Sequence, residues 1–301
     1  MTCQKENFEI ILQTKGCKLC QCLSCDIIFV QQDKPKKLKG IYDNYYQEKN
    51  ASRFGVIVEW IVKIFRFGRA YKISVLRPKA RSILDIGSGR GWMLYFMKKY
   101  FKYETAIGTQ IADSAYLFSK NKLKLEIYDK DFLELSFLRG FDIITILHVL
   151  EHVENGELYV EKIHELLKAK GLLLIEVPNF NSWTRKITKK HWLALDLEHH
   201  LFFFTPLSLV SLLEKHNLKV KKIRTFSLEY SAFTSTQSIV NFITNSDSYF
   251  FYWLQNKNFN LKIIWHTFLF AVLFPFCLLV NLCLYFSKNG EVITIIAEKN
   301  D

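Results

Sequence analysis

No internal repeat and no low-complexity tract runs through the 301 residues of this chain, which excludes a solenoid array or a biased linker as its basis. The first eleven residues hold no apolar run behind basic residues, so no secretory signal is expected. Cysteine is sparse and badly placed for a secreted scaffold: of 7, four (Cys17, Cys20, Cys22 and Cys25) crowd into one short stretch. That pattern argues for a reducing cytosol rather than a disulfide framework. Acidic side chains are outnumbered, 29 against 41 basic ones, for a formal charge of +12. The excess suits nucleic acid, an anionic membrane face or phosphorylated substrates and selects none of them. Its denser patches lie at 185–190 and 219–224. Apolar residues are what the chain has in plenty, half of the total, with 26 phenylalanines. One sizeable core with apolar surface to spare is expected.

The most telling run is Ser82-Ile83-Leu84-Asp85-Ile86-Gly87-Ser88-Gly89-Arg90-Gly91, followed by a helical pattern over 92–100. A strand, a turn without Cβ atoms and a helix N-terminus let a backbone approach a polar ligand closely. The spacing is G-x-G-x-G; Trp92 stands where the third glycine of a dinucleotide-binding turn would be, so that fingerprint is absent. Asp85, at the strand end, can accept a hydrogen bond from an ammonium or amide near the turn. Taken alone, the run also fits a purely structural turn.

Around it, short apolar strands alternate with amphipathic helices. Val56, Trp60, Ile64 and Phe67 recur at helical spacing over 51–75, and Arg77-Pro78 ends that helix. Strands are predicted at 106–108, 125–128, 141–147, 172–177 and 219–226, with helices at 113–121 and 207–215. Tyr159, Ile163, Leu166 and Leu167 form one helical face, closed by Gly171. Residues 1–50 show no clear periodicity. The alternation predicts an α/β fold with a mainly parallel sheet and helices on both faces.

With these pieces in order, the chain resembles the class I S-adenosylmethionine-dependent methyltransferases, in particular the small-molecule and glycan subgroup similar to ubiquinone-biosynthesis methyltransferases. The resemblance rests on the glycine run, then Phe141-Asp142-Ile143-Ile144, Leu147-His148-Val149-Leu150-Glu151-His152-Val153, Val177-Pro178-Asn179, and His200-Leu201-Phe202-Phe203-Phe204-Thr205-Pro206. It implies a Rossmann-like sheet of seven strands, six parallel and a last antiparallel one, matched by 292–298. It also implies S-adenosylmethionine as cofactor. Asp85, Gly87, Gly89 and Gly91 would then face its methionine part, with Leu147 and His148 near the same end. Asp131 and Phe132 would lie by the adenine. Gln110 falls where the family usually holds the ribose hydroxyls with an acid, and a neutral amide accepts more weakly than a carboxylate.

Methyl transfer to a hydroxyl or amine needs donor and acceptor in line and a group to take the acceptor's proton. His200 is the candidate base, with His199 as competitor, in a block that closes over the acceptor pocket in similar enzymes. A histidine bonded to backbone is the bland reading of His200, and a structural loop ending that of Glu151-His152. Two C-x-x-C units, Cys17/Cys20 and Cys22/Cys25, point to a structural zinc site, although one residue between them makes it cramped; Cys3 is a substitute ligand, and leftover thiols the alternative. Tyr42, Tyr45 and Tyr46 resemble aromatics that cover the cofactor in relatives.

Residues 263–286 carry no charge. As one helix they would extend about 36 Å, enough to span a bilayer core. A true span would strand the last strand across the membrane from its sheet. One-sided association is therefore expected, by a break near Pro275 or by lying at the interface, with packing inside a soluble core or a dimer interface as the alternative. The expected organisation is a cysteine- and tyrosine-rich segment at 1–50, a methyltransferase core at 51–228, an apolar insertion at 229–289 and the last strand at 290–301. The function these readings lead to is methylation of an oxygen or nitrogen of a small or lipid-linked acceptor at the cytosolic membrane face. A non-catalytic scaffold of the same fold is the alternative. Nucleic acid is discounted as substrate, since His148-Val149-Leu150-Glu151 stands where an Asp- or Asn-Pro-Pro-aromatic motif would be.

Overall fold

The computed structural model describes residues 7–14, 16–24, 26–32, 56–256 and 260–300. Its main sheet is built from β4 (Ser82–Ile86), β5 (Thr105–Thr109), β6 (Glu126–Tyr128), β7 (Phe141–Leu147), β8 (Leu167–Pro178), β10 (Leu218–Arg224) and β11 (Val292–Lys299). The spatial order is β10-β11-β8-β7-β4-β5-β6. Neighbours from β8 to β6 pair in parallel, and β11 alone runs against the rest, antiparallel to both β8 and β10. This is the expected sheet of six parallel strands plus one.

Side-chain alternation along these strands divides the core in two. Ile83 and Ile143 point to the face covered by α1 (Val56–Leu76) and α2 (Trp92–Tyr100), where they meet Ala70, Ile73, Met93 and Met97. Leu84, Ile86, Ile144 and Ile146 point to the other face, covered by α4 (Gly156–Leu166) and α6 (Pro206–Lys215). α3 (Asp113–Asn121) packs beside β6. Burial on both faces is why β4 and β7 read as continuous apolar runs rather than alternating ones. Because β4 lies between β5 and β7, chain connections leave it in opposite directions, and a crevice opens beyond its C-terminal end.

Gly171 does not close a helix. α4 stops at Leu166, and Gly171 sits inside β8, where the pairing with β7 jumps from Phe141↔Leu167 to Ile143↔Leu172. A Cβ there would lie 2.8 Å from the Lys168 carbonyl oxygen, so the irregularity needs a glycine.

Within 1–50, the structure shows strands where no periodicity was legible. β1 (Phe8–Thr14), β2 (Cys17–Cys22) and β3 (Ile28–Gln32) form an antiparallel sheet whose fourth strand is β9 (Phe202–Phe203). β2 buries Leu19 on one face and Cys20 and Cys22 on the other, so no period of two shows in the sequence. The pairing Ile28↔Phe203 and Phe29↔Phe202 ties this small sheet to the block containing His200.

Between β10 and β11 the chain makes α7 (Ser231–Thr244), α8 (Tyr249–Asn256) and α9 (Leu261–Cys283); α5 (Trp183–Thr188) contacts α7. α9 passes through Pro275 without a break. Its packed face is tied to α7: Asn281 donates to Ser235 Oγ at 2.8 Å and to its own Cys277 carbonyl at 2.8 Å.

Candidate active site

β4 leads directly into the glycine turn. Gly87, Gly89 and Gly91 have φ of 71°, 55° and 72°. A Cβ on Gly87 would lie 2.3 Å from Val149 Cγ2, and one on Gly91 2.6 Å from Leu125 Cδ1. Backbone angle and space both exclude a side chain at these two positions. The turn is pinned to the end of β5, with Gly87 N–H donating to Thr109 Oγ1 at 3.2 Å and Ser88 N–H to the Thr109 carbonyl at 2.8 Å. Beneath it Asp85 is buried and accepts from Thr145 Oγ1 at 2.6 Å. Burial pushes its carboxyl up to about 6, opposed by the Thr145 hydrogen bond and by Arg66 and Arg69. A carboxyl so placed is stabilised in its charged form by a cationic partner such as an ammonium.

Gln110, just past β5, is also buried, and its Oε1 accepts from Ala112 N–H at 3.0 Å. Its oxygen is thus engaged by the backbone just before α3, and the amide nitrogen is the group left to meet a hydroxyl. Asp131 accepts from Leu133 N–H at 2.8 Å and from the Tyr159 hydroxyl at 2.6 Å. Phe132, expected by the adenine, is 1 % exposed and packs in the core against Tyr159.

Past β7, Leu147 ends the strand half-buried and His148 turns the chain in a left-handed conformation, φ 56°. His148 Nε2 lies 3.3 Å from Glu176 Oε1 and its Nδ1 3.4 Å from Glu151 Oε1. Burial opposes its charge, but the two carboxylates outweigh burial and hold it well above the usual histidine range.

Glu151, His152 and His200 come together next to this turn, with one ligand-type atom from each within 4.8 Å of the others. Leu201 N–H donates to the Glu151 carbonyl at 2.7 Å, which brings the His200 block to the loop after β7. His152 Nδ1–H donates to the His199 carbonyl at 3.0 Å. The rings of His152 and His200 are edge to face, 4.7 Å apart. Burial pushes His200 down to about 4, with His152 adding to the effect. His199 turns away, its Nδ1 2.7 Å from Asp196 Oδ2.

Residues 63–223 match the family described as "Methyltransferase domain", more than half of the chain. The chain belongs to the methyltransferase domain family. Over 207 residues it is 26 % identical to the ubiquinone biosynthesis O-methyltransferase of Pelagibacter ubique, covering 65 % of this chain and 85 % of that one. Over 101 residues it is 28 % identical to the (S)-coclaurine N-methyltransferase of Thalictrum flavum, covering 32 % of this chain and 28 % of that one. Among solved structures, a putative sarcosine dimethylglycine methyltransferase from Galdieria sulphuraria has the same fold. It superposes with a TM-score of 0.51 at 13 % identity, covering 80 % of this chain and 86 % of that one. The protein is an S-adenosylmethionine-dependent small-molecule methyltransferase, and the turn at Gly87 and Gly91, with Asp85 beneath it, is a cradle that fits that cofactor.

The methyltransferase thus gathers Asp85, Gly87, Gly89, Gly91, Gln110, Leu147 and His148 at the ends of β4, β5 and β7, and His200 beside Glu151 and His152. It does not gather the cysteines. Cys20 and Cys22 lie in the main core at 0 % exposure, while Cys17 packs with Leu19 on the opposite face of β2. These three do not converge on one ion; Cys3, Cys25, Tyr42, Tyr45 and Tyr46 lie outside the described residues. Missed from the sequence was a charged clamp under the site. Arg69 Nη2 reaches Glu176 Oε1 at 2.9 Å and Glu229 Oε2 at 3.2 Å, and Arg66 Nη2 reaches Glu229 Oε1 at 2.9 Å. Thr294 Oγ1 donates to Glu176 Oε2 at 2.8 Å. Its signal was Glu176 itself, the one charge in the apolar, largely buried run 172–177 of β8.

Proposed function

We propose that this enzyme methylates an oxygen or nitrogen of a lipid-linked acceptor, such as a glycolipid precursor or a quinone-like ring, at the cytosolic face of a membrane. S-adenosylmethionine supplies a methyl group on an activated sulfonium. The chain's own part is to hold the donor on the Gly87–Gly91 turn with Asp85 against its ammonium, and to present the acceptor in line from the side of Glu151, His152 and His200. His200 is the residue assigned to the acceptor's proton, with His199 the alternative. The geometry favours His200, because its Nδ1 is buried without a hydrogen-bond partner whereas His199 is engaged by Asp196.

The observation that carries the membrane reading is the inverted polarity of α9. Its packed face includes the polar His266 and Asn281. Its outward stripe is Ile264, Trp265, Phe268, Val272, Phe276, Leu279 and Leu282, each between 46 and 61 % exposed. The stripe is about 27 Å long. Water-soluble helices show the opposite arrangement, whereas a helix lying in a lipid interface turns its apolar stripe outward. At its N-terminal end a polar cleft is lined by Lys190, Lys262, Asp247 and Tyr249, a setting for anionic headgroups.

Phe268→Lys with Phe276→Lys should move the protein from the membrane pellet to the soluble fraction while S-adenosylmethionine affinity, read by calorimetry, is unchanged. A wild-type protein that is soluble and dimeric, and becomes monomeric in this variant, would show the stripe to be a subunit interface instead.

A further inference from the structure

We propose, resting on the lipid-linked reading above, that Arg185 holds a phosphoryl group of the acceptor in a cavity beside the end of β8. The acceptor is then a lipid-linked sugar phosphate or diphosphate, and an uncharged quinone-like ring is set aside.

A cavity of about 370 Å³ opens where the small sheet meets the chain leaving β8, a volume within the range of small-ligand sites. Ile10 of β1 and Ile28 of β3 line it from the sheet, and Phe180, Asn181 and Arg185 from the chain after β8. Arg185 stacks on Phe180, with Cζ 3.7 Å from the ring centre. The ring covers one face of the guanidinium and sets its plane. The N–H edge stays free, the arrangement that suits bidentate binding of a phosphate. Among the described residues no carboxylate pairs with this edge. Burial lowers the pKa of Arg185, and no acid offsets the effect. Glu9 is the acid that lines the cavity, but it is exposed and makes no ion pair with Arg185. Asn181 donates through its backbone N–H to Asn179 Oδ1 at 3.0 Å, which leaves its side-chain amide as a second donor. A half-buried cation without a counter-ion is costly unless a ligand brings the negative charge.

The cavity is joined to the transfer site by packed rings. Phe180 lies 5.5 Å from Phe203, and Phe203 lies 5.5 Å from His200. Phe180 N–H also donates to the Phe204 carbonyl at 2.9 Å. An extended acceptor that presents its reacting group at His200 therefore reaches Arg185 with a part remote from the methylated atom. That suits a glycan methylated on its sugar and held by its phosphate. The basic cluster at 185–190 gains a role here at its first residue. The polar cleft of Lys190 and Lys262 is separate and shares no lining residue with this cavity.

The test titrates the full-length protein with geranyl diphosphate and, in parallel, with geraniol. The diphosphate should bind at least about tenfold more tightly than the alcohol. Arg185→Gln should remove that difference, and Asn181→Asp, which sets a like charge beside the ligand, should weaken the diphosphate alone. Unchanged circular dichroism and S-adenosylmethionine affinity verify that both variants are folded. Lys262→Gln, in the separate cleft, should leave diphosphate binding as it is. Equal affinity for diphosphate and alcohol overturns the subsite and leaves the methyltransferase reading standing. So does diphosphate binding that survives Arg185→Gln or is lost in Lys262→Gln. Phosphatidylcholine vesicles with and without phosphatidylglycerol separate the two sources of phosphate. If Arg185→Gln weakens only vesicle binding, the arginine is a headgroup contact and the acceptor assignment falls. If the wild type binds the diphosphate through Arg185 and neither kind of vesicle, the subsite stands. The membrane reading is then the part that fails, and the acceptor is a soluble sugar phosphate.

Discussion

Asp85 carries a proton under mildly acidic conditions because its site is buried and, without a cationic ligand, dominated by desolvation; its carboxyl sits at about 6 rather than 3.8. A folded-state pKa raised to this value means that the ionised form is disfavoured below about pH 6, where an ordinary aspartate would already be charged. Binding an ammonium favours ionisation, so donor binding releases a proton below about pH 6 and becomes tighter as pH rises through it. Calorimetric titrations from pH 5 to 7.5 in two buffers of different ionisation enthalpy should show this, and Asp85→Asn should abolish both the slope and the proton release. The neighbouring glycines act through shape. Gly89, at φ 55°, cannot take a branched side chain without strain, and Gly89→Val should weaken S-adenosylmethionine binding at least tenfold, about 1.4 kcal/mol. Gln110→Glu should tighten binding. A carboxylate keeps one oxygen for Ala112 N–H and turns a second, charged one toward the ribose; weaker binding would mean that the amide nitrogen is the group that matters.

At the scale of elements, the site depends on how α1 is fastened to the sheet. Arg66 and Arg69 on this helix hold Glu229, and Arg69 also holds Glu176 on β8. Burial alone would raise Glu176, but Arg69 and His148 outweigh it and hold the carboxyl far below its usual range. Arg69→Ala leaves a buried carboxylate without its main partner, and breaking such pairs costs about 3–5 kcal/mol. A urea melt should show that loss, and adding Glu176→Gln should recover part of it. Only Glu176, a charge in the apolar run 172–177, signalled this clamp in the sequence. Arg66 and Arg69 lie on a helix whose sequence shows an amphipathic pattern and nothing of what its polar side meets. The element boundaries, in contrast, were readable wherever strand or helix chemistry was local: β4, β7, α2 and α3 fall where periodicity and the turn residues place them. β1 to β3 were not readable, because β2 is buried on both faces and β3 takes its partner strand from residues 202–203, so that little periodic signal is left.

For the whole molecule, the placement of α9 immediately before β11 sets the topology. β11 is fully registered in the sheet, from Val292↔Pro178 to Glu298↔Leu172, so the chain after the apolar helix must return to the side where the core lies. Reporter tags at the two ends of the chain should both read cytosolic. A C-terminal tag on the far side would mean that β11 is not paired in the cell.

The mainly parallel sheet and the glycine turn were determined by the sequence alone, since each rests on near neighbours, namely apolar runs, Cβ-less positions and helix ends within a few residues; the reversed last strand was implied by the family resemblance, and its pairing between β8 and β10 is long-range. Tertiary structure alone decided what depends on residues far apart in the chain. It set Cys17 on the other face of β2 from Cys20 and Cys22, buried Phe132, joined His200 to Glu151 and His152, and turned the apolar stripe of α9 outward. The physical reason is that burial and electrostatics are properties of what surrounds a side chain, and those surroundings exist only once the distant strands have paired.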